Sequence, residues 1–329
     1  MSVALEKIAN EVLTNTEQSE LGALHLAEFE LHFGAILKNI EIEYCVFGGS
    51  DKPVVVIQGG ISATRLVTDE IANTQGKKGW WSELVGKSKL IDLNHYRVVS
   101  INYIYGRASE LIATQDQARA VKLVLEQLGV KQITAFIGSS YGGLVGQSFA
   151  SLFPKSIKNL VCICCALRNS NKAIALRSIQ RKILGLQHDT ATELAIARSI
   201  AHLGYRGFDE IEARFDGKAK IEGQQVRFDV VDYLEHNAKK FVQRFDKEKY
   251  ISLSTSIDTH DVSESQIQCE ALFVAFDSDE TVPLNLIKDS VKKLKRARLK
   301  IIETQYGHDG FLIEYKKLEN AIRPFLENI

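Results

Sequence analysis

Apolar residues along the chain gather into short uninterrupted runs. Pro53-Val54-Val55-Val56-Ile57, Val98-Val99-Ser100-Ile101, Ile133-Thr134-Ala135-Phe136-Ile137, Leu160 to Ala166 and Ala271-Leu272-Phe273-Val274-Ala275-Phe276 all have strand length, and Leu299-Lys300-Ile301-Ile302-Glu303, without that continuity, is a further strand candidate. Such runs suit central parallel strands covered on both faces. Leu24 to Leu31 and Ile40 to Tyr44 alternate apolar with polar instead, which predicts two antiparallel strands at a sheet edge. Residues 1 to 20 read as a short amphipathic helix or a frayed start. The sum is a doubly wound, mostly parallel α/β sheet of about eight strands.

Between Arg168 and Ser265 the pattern changes. No strong strand occurs there; helical stretches run over Ala173 to Leu184, Ala191 to Leu203, Phe208 to Phe215 and Val230 to Phe245. A block of helices between two sheet strands reads as a lid over the carboxyl ends of the strands, where it would shape a pocket. The expected division is therefore a catalytic domain of residues 1–167 and 266–329, with residues 168–265 as the helical lid.

Length and charge narrow the field. The 329 residues carry 41 basic and 41 acidic side chains, a balance that gives no general drive toward nucleic acid or an anionic membrane. The opening MSVALEKIANEVL lacks the pattern of a secretory signal, and no apolar run reaches the length of a membrane span. The five cysteines, Cys45, Cys162, Cys164, Cys165 and Cys269, are odd in number and three are clustered. That suggests reduced thiols in a cytoplasm, packed as small apolar side chains. No second ligand cluster accompanies the C-x-C-C run, so no metal is expected.

Chemistry enters where the strand at Ile133 runs into Gly138-Ser139-Ser140-Tyr141-Gly142. G-x-S-x-G between strand and helix is the nucleophile elbow of an α/β-hydrolase fold, with Ser140 at its apex. In that fold the carboxylate and then the histidine follow in chain order. Asp277-Ser278-Asp279 ends the Ala271 strand, and His308 follows the last strand. The expected triad is Ser140, Asp279 and His308, with Asp277 as the alternative acid. The amide of Tyr141, after the nucleophile, and one near Gly60 in Gln58-Gly59-Gly60 form the natural oxyanion pair. No Gly-Lys-Ser/Thr follows those glycines, so they are not a P-loop. Arg168, Lys172, Arg177, Arg181 and Lys182 form a basic stretch that reads as a solvated helix face or an attractor of phosphates; Lys292-Lys293-Leu294-Lys295-Arg296 reads as a solvated face.

Beyond the elbow, Gly79-Trp80-Trp81-Ser82-Glu83-Leu84-Val85-Gly86, Ala197 to Arg206, Tyr233-Leu234-Glu235-His236, Phe241 to Asp246, Ser278 to Pro283 and Gly307 to Leu312 resemble the homoserine O-acyltransferase family of methionine biosynthesis. The likeness spans about residues 54 to 315. Departures are Tyr141 where the family has Met, Gly204 where it has Thr, and a shorter region after Asn102. The resemblance implies a cytoplasmic enzyme that moves an acetyl, or less favoured a succinyl, group from acyl-CoA to L-homoserine through a Ser140 acyl-enzyme. Acyl-CoA is then a co-substrate, and no cofactor is implied. Arg206 resembles the family's carboxylate-binding arginine and Asp309 the residue that receives the ammonium group. A homodimer joined through the lid is implied as well. A serine hydrolase of small esters or thioesters, and an L-serine O-acyltransferase, stay open beside this reading.

Overall fold

The computed structural model describes residues 7–16 (backbone alone), 19–70, 78–107, 109–263 and 267–327. The strands in chain order are β1 (Lys7–Thr16), β2 (Ser19–Glu30), β3 (Ile36–Phe47), β4 (Val54–Gln58), the two-residue pair β5 (Val85–Gly86) and β6 (Ile91–Asp92), β7 (Arg97–Ile101), β8 (Ile133–Ser139), β9 (Ile157–Ile163), the hairpin β10 (Lys220–Glu222) and β11 (Gln225–Arg227), β12 (Glu270–Phe276) and β13 (Ala297–Ile302). Nine of them form one sheet in the order β1-β2-β3-β7-β4-β8-β9-β12-β13. From β7 to β13 every neighbouring pair is parallel, while β1, β2 and β3 join antiparallel at one edge.

All eight expected strands are present. The ninth, β1, corrects the expected helix or frayed start: two register shifts interrupt its pairing with β2. Bulges of this kind put a strand's alternation out of phase, so no clean period of two is left in its sequence.

Alternation in the central strands sorts side chains between two cores. Val56, Phe136, Leu160 and Phe273 face one cluster and Val55, Ile137, Val161 and Val274 the other. On the first face pack α1 (Thr114–Gln127) and α2 (Tyr141–Leu152), through Val121, Val124, Val145 and Phe149. The second face is covered by the Trp81–Leu93 segment and the C-terminal helix. Burial of each strand on both sides explains why these runs are continuously apolar.

Among the described residues, five helices lie between β9 and β12: α3 (Asn171–Leu184), α4 (Thr190–Tyr205), α5 (Phe208–Arg214), α6 (Asp229–Val242) and α7 (Lys247–Asp258). Helix α7 and the β10–β11 hairpin were not expected. Helix α7 begins where the Asp246 side chain accepts from the Lys249 amide at 2.6 Å, an N-cap; the stretch expected to run to Phe245 ends earlier, at Val242. Beyond β12 come α8 (Leu284–Lys293), a six-residue 3-10 helix at Gly307–Leu312, and α9 (Tyr315–Leu326).

Candidate active site

Ser140 occupies the step from β8 into α2 with φ 52° and ψ −120°, a strained conformation for a residue with a side chain. The strain is held from both sides: the Ser140 amide donates to the Ile163 carbonyl at 2.9 Å and the Gly142 amide to the Gly59 carbonyl at 2.9 Å. A Cβ on Gly142 would lie 2.1 Å from the Gln58 carbonyl oxygen, and one on Gly138 would lie 2.2 Å from the Gly142 carbonyl oxygen. Only glycine fits either position, because the chain crosses itself there at backbone contact.

The loops after β12 and β13 bring the other two groups to the serine. His308 Nε2 is 2.8 Å from Ser140 Oγ, and its Nδ1 is 2.7 Å from Asp279 Oδ2. Asp279 is 3% exposed, and its other oxygen accepts from the Thr281 and Val282 amides at 2.8 and 2.9 Å. The carboxylate is thus locked at both ends, and the neutral ring must donate from Nδ1 and accept at Nε2. Asp277, the alternative acid, is exposed and receives the Thr304 amide at 2.9 Å instead. Burial lowers the His308 pKa, but the Asp279 charge, the neighbouring Cys164 and the hydrogen bond to Asp279 together outweigh it and hold the group well above its ordinary range.

The turn that carries His308 depends on Gly307, at φ 58°, where a Cβ would sit 2.7 Å from the Gly207 amide nitrogen. The turn therefore abuts the end of α4 directly. Trp81 steadies the same segment: its Nε1 donates to the Phe311 carbonyl at 3.0 Å. Trp80 stacks on Trp81 at 5.2 Å and packs so close to Gly59 that a Cβ there would meet its ring at 2.8 Å. The paired tryptophans thus brace the loops on both sides of the serine.

Gly60 lies beside Ser140: a Cβ on it would stand 4.0 Å from Ser140 Cβ. Tyr141 is the first residue of α2, where amides have no partner inside the helix and the helix dipole favours negative charge. Its ring is fully buried, edge-on to Tyr103 at 4.7 Å, and its hydroxyl is 2.7 Å from Ser256 Oγ of α7. Tyr103 in turn donates to the Gly59 carbonyl at 2.6 Å.

A cleft opens over Ser140 and His308. Tyr141, Leu144, Cys164, Arg168, Asn169, Arg177, Tyr205, Thr281 and Val282 line it. Arg206 and Asp309 are not among its lining residues; they face each other, Nε to Oδ2 at 3.2 Å, and Asp309 follows His308 in sequence. Arg206 also approaches Glu210 at 3.7 Å. Burial raises the Asp309 pKa, partly offset by the Arg206 and His308 charges.

Three features escaped the sequence reading. Arg177 and Arg181 of the basic stretch share the half-buried Asp258 of α7, at 2.6 and 2.5 Å, and Lys172 pairs with Glu280 at 2.7 Å; three of its five cations thus have carboxylate partners, two of them sharing one. The signal for this was the N-cap Asp246, which announces a further helix. The C-x-C-C run does not converge: Cys162 and Cys165 lie 3.5 and 3.4 Å from Gln147 Nε2, whereas Cys164 turns to His308. Tyr205, at the end of α4, stands with its ring 5.5 Å from that of His308.

A mainly parallel sheet with a serine, histidine and aspartate joined at the carboxyl ends of its strands defines an α/β-hydrolase-fold protein, and the family model described as alpha/beta hydrolase fold matches residues 52–315. Homoserine O-succinyltransferase of Xanthomonas campestris pv. campestris is 32% identical over 295 residues, 88% of this chain and 79% of that protein. Homoserine O-acetyltransferase of Geotalea daltonii is 28% identical over 91% of this chain and 95% of its own length. The chain belongs to the homoserine O-acyltransferase family. In shape it is similar to the homoserine O-acetyltransferase of Bacillus anthracis, with a TM-score of 0.87 at 16% identity over 94% of this chain and 98% of that one. Esterase E22 is similar at a TM-score of 0.85, also at 16% identity, over 94% and 100%. At such identities shape speaks for the fold alone.

Proposed function

We propose that this enzyme transfers an acyl group from a coenzyme A thioester to the hydroxyl of L-homoserine, through an ester on Ser140. The observation that carries the reading is the hydrogen-bonded chain from Ser140 through His308 to Asp279, in a chain whose family is the homoserine O-acyltransferases. His308 Nε2 takes the Ser140 proton as Oγ attacks the thioester carbonyl, and Asp279 stabilises the imidazolium that forms. Charge developing on the carbonyl oxygen is met by the amides of Gly60 and Tyr141. His308 returns the proton to the departing thiolate, leaving a neutral ring beside the acyl-serine. The homoserine hydroxyl then enters, gives its proton to Nε2, and attacks the ester; collapse releases the O-acyl product and free Ser140.

An amino-acid acceptor presents a carboxylate and an ammonium group close together. Arg206 and Asp309 offer a guanidinium and a carboxylate 3.2 Å apart, which supports exchange of their mutual ion pair for the two ends of homoserine. Glu210 Oε2, beside Arg206, is a buried polar atom without a hydrogen-bond partner, a group that a polar ligand would satisfy. The helical insertion acts in this reading as the lid that keeps water from the acyl-enzyme. Its exposed Ile221, Val226 and Phe208 support the homodimer expected through that segment.

The test is thioester consumption with acetyl-CoA and succinyl-CoA in parallel, with homoserine, serine or water as the only acceptor. Stoichiometric O-acyl-homoserine supports the reading. Consumption at the same rate without an amino acid makes the enzyme a hydrolase, and serine preferred over homoserine makes it a serine acyltransferase.

A further inference from the structure

The strand β9 places Leu160 and Cys162 on the α1/α2 face and Val161 and Ile163 on the other. Continued alternation assigns Cys164 to the first face. Instead Cys164 adopts φ 46°, pinned by its amide's bond to the Val274 carbonyl at 2.8 Å, and joins Ile163 on the second face. Left-handed backbone is uncommon for a residue with a side chain and marks a constrained position. Its result is a thiol with Sγ 4.0 Å from His308 Nε2, and Cys164, Ser140 and His308 together line the cleft.

The geometry points to a site for a thiophilic divalent cation, zinc being the type, held between Cys164 Sγ and His308 Nε2 in the place of the Ser140 hydroxyl, which stands 2.8 Å from Nε2 and swings aside as the cation binds. Zinc bonds of about 2.3 Å to sulfur and 2.0–2.1 Å to nitrogen at a tetrahedral angle separate the two ligand atoms by about 3.6 Å. The 4.0 Å present closes to that by a small side-chain rotation. Asp279 already holds Nδ1 at 2.7 Å, the arrangement in which a carboxylate fixes the tautomer of a metal-binding imidazole and strengthens its free nitrogen. Ligand atoms of Cys164, Asp279 and His308 lie within 4.8 Å of one another, yet Asp279 sits behind the ring and acts through it. On binding, the Cys164 thiol loses its proton to solvent, a metal–sulfur bond forms, and the cation gives up water molecules. The Nε2 lone pair is then taken by the metal and cannot accept the Ser140 proton. The cation is a reversible brake on the same residues that perform the proposed chemistry, and its binding can be read without any turnover.

The experiment uses the full chain with cobalt(II) as the spectroscopic probe and zinc as the inhibitor. One equivalent of cobalt gives a thiolate-to-cobalt charge-transfer band, lost in Cys164→Ser and kept in Ser140→Ala. Zinc inhibits thioester turnover competitively with the acyl donor and is reversed by a chelator; Cys164→Ser is at least about 10-fold less sensitive, the usual size of a lost metal partner. A charge-transfer band that persists in Cys164→Ser, or equal zinc sensitivity in that variant, overturns the proposal. Should Cys164→Ser not fold, Cys164→Gly, which relieves the left-handed strain, serves in its place with the same expected outcomes. A chain that binds cobalt through Cys164 but uses no acyl-CoA leaves the metal site standing and removes the acyl-transfer reading instead.

Discussion

Replacing Asp279 by Asn is the sharpest perturbation of the proposed chemistry, because it keeps the shape and removes one charge. Asn Oδ1 can keep the Thr281 and Val282 amides, which bond Asp279 at 2.8 and 2.9 Å, so its amide nitrogen must face His308 Nδ1. Two donors cannot share that 2.7 Å contact; the ring moves its proton to Nε2 and presents a donor, not an acceptor, to Ser140. Restoring the productive tautomer forfeits about one hydrogen bond, roughly 1–1.5 kcal/mol. The transition state also loses the attraction between carboxylate and imidazolium, about 4 kcal/mol for charge centres about 4 Å apart at an effective dielectric constant of 20. Together these come to about 5 kcal/mol, a fall of about 10⁴ in kcat.

The assay is rapid mixing with an acyl-CoA, following thiol release: the burst should slow by that factor while donor affinity changes little. A pH profile adds a signed check. The wild-type acid limb of kcat/KM should lie above the ordinary histidine value of about 6.5, because His308 is held upward and works as base only when neutral. Without the carboxylate the largest upward influence is gone and Cys164 alone opposes the lowering by burial, so the limb of Asp279→Asn should move to lower pH. By linkage, the stability that charged His308 contributes is fully present below its unfolded pKa and is lost as pH rises through the higher folded value; the variant should lack that component. Activity of Asp279→Asn within tenfold of wild type, with Asp277→Asn the damaging change, would sink this account of the site.

Ser140→Ala should abolish the burst and lower turnover by about 10⁴-fold or more, with an unchanged melting temperature, as read by stopped-flow thiol release and calorimetry. Gly142→Ala places a methyl 2.1 Å from the Gln58 carbonyl oxygen and should cost at least about 1–3 kcal/mol in a denaturant titration, whereas serine substitutions on the exposed face of α8 should cost little. Arg206→Ala and Asp309→Ala should each weaken use of homoserine by about 2–4 kcal/mol in kcat/KM while the acyl-enzyme burst survives; loss of the burst as well would move these residues out of acceptor binding.

Much of this protein is written locally. A strand covered on both faces must be apolar at every position, so β4, β7, β8, β9 and β12 stand out as uninterrupted runs. A tight strand-to-helix turn needs glycine where backbones touch, which made Gly138 and Gly142 legible around Ser140. The order serine, aspartate, histidine, each just beyond a strand, followed from the same pattern, since all parallel strands deliver their carboxyl ends to one edge of the sheet.

What stayed hidden depends on partners distant in sequence. Choosing between Asp277 and Asp279 turns on which carboxylate the loop aims at a histidine 29 residues later, and two acids at one strand end look alike until that loop is folded. Arg177 and Arg181 form part of a basic stretch until Asp258, 81 and 77 residues away, closes on both. The strand β1 was masked by its bulges, and the β10–β11 hairpin by its full exposure, which leaves no buried face to impose a pattern. Cys164 is the clearest case: alternation assigned it to one core, and a single backbone hydrogen bond to Val274 on the neighbouring strand turned it to the other. Hydrophobic period records which face of an element is buried, and so the elements and the layer they build were legible; which atoms then meet across that layer is set by backbone turns and long-range contacts that no period encodes.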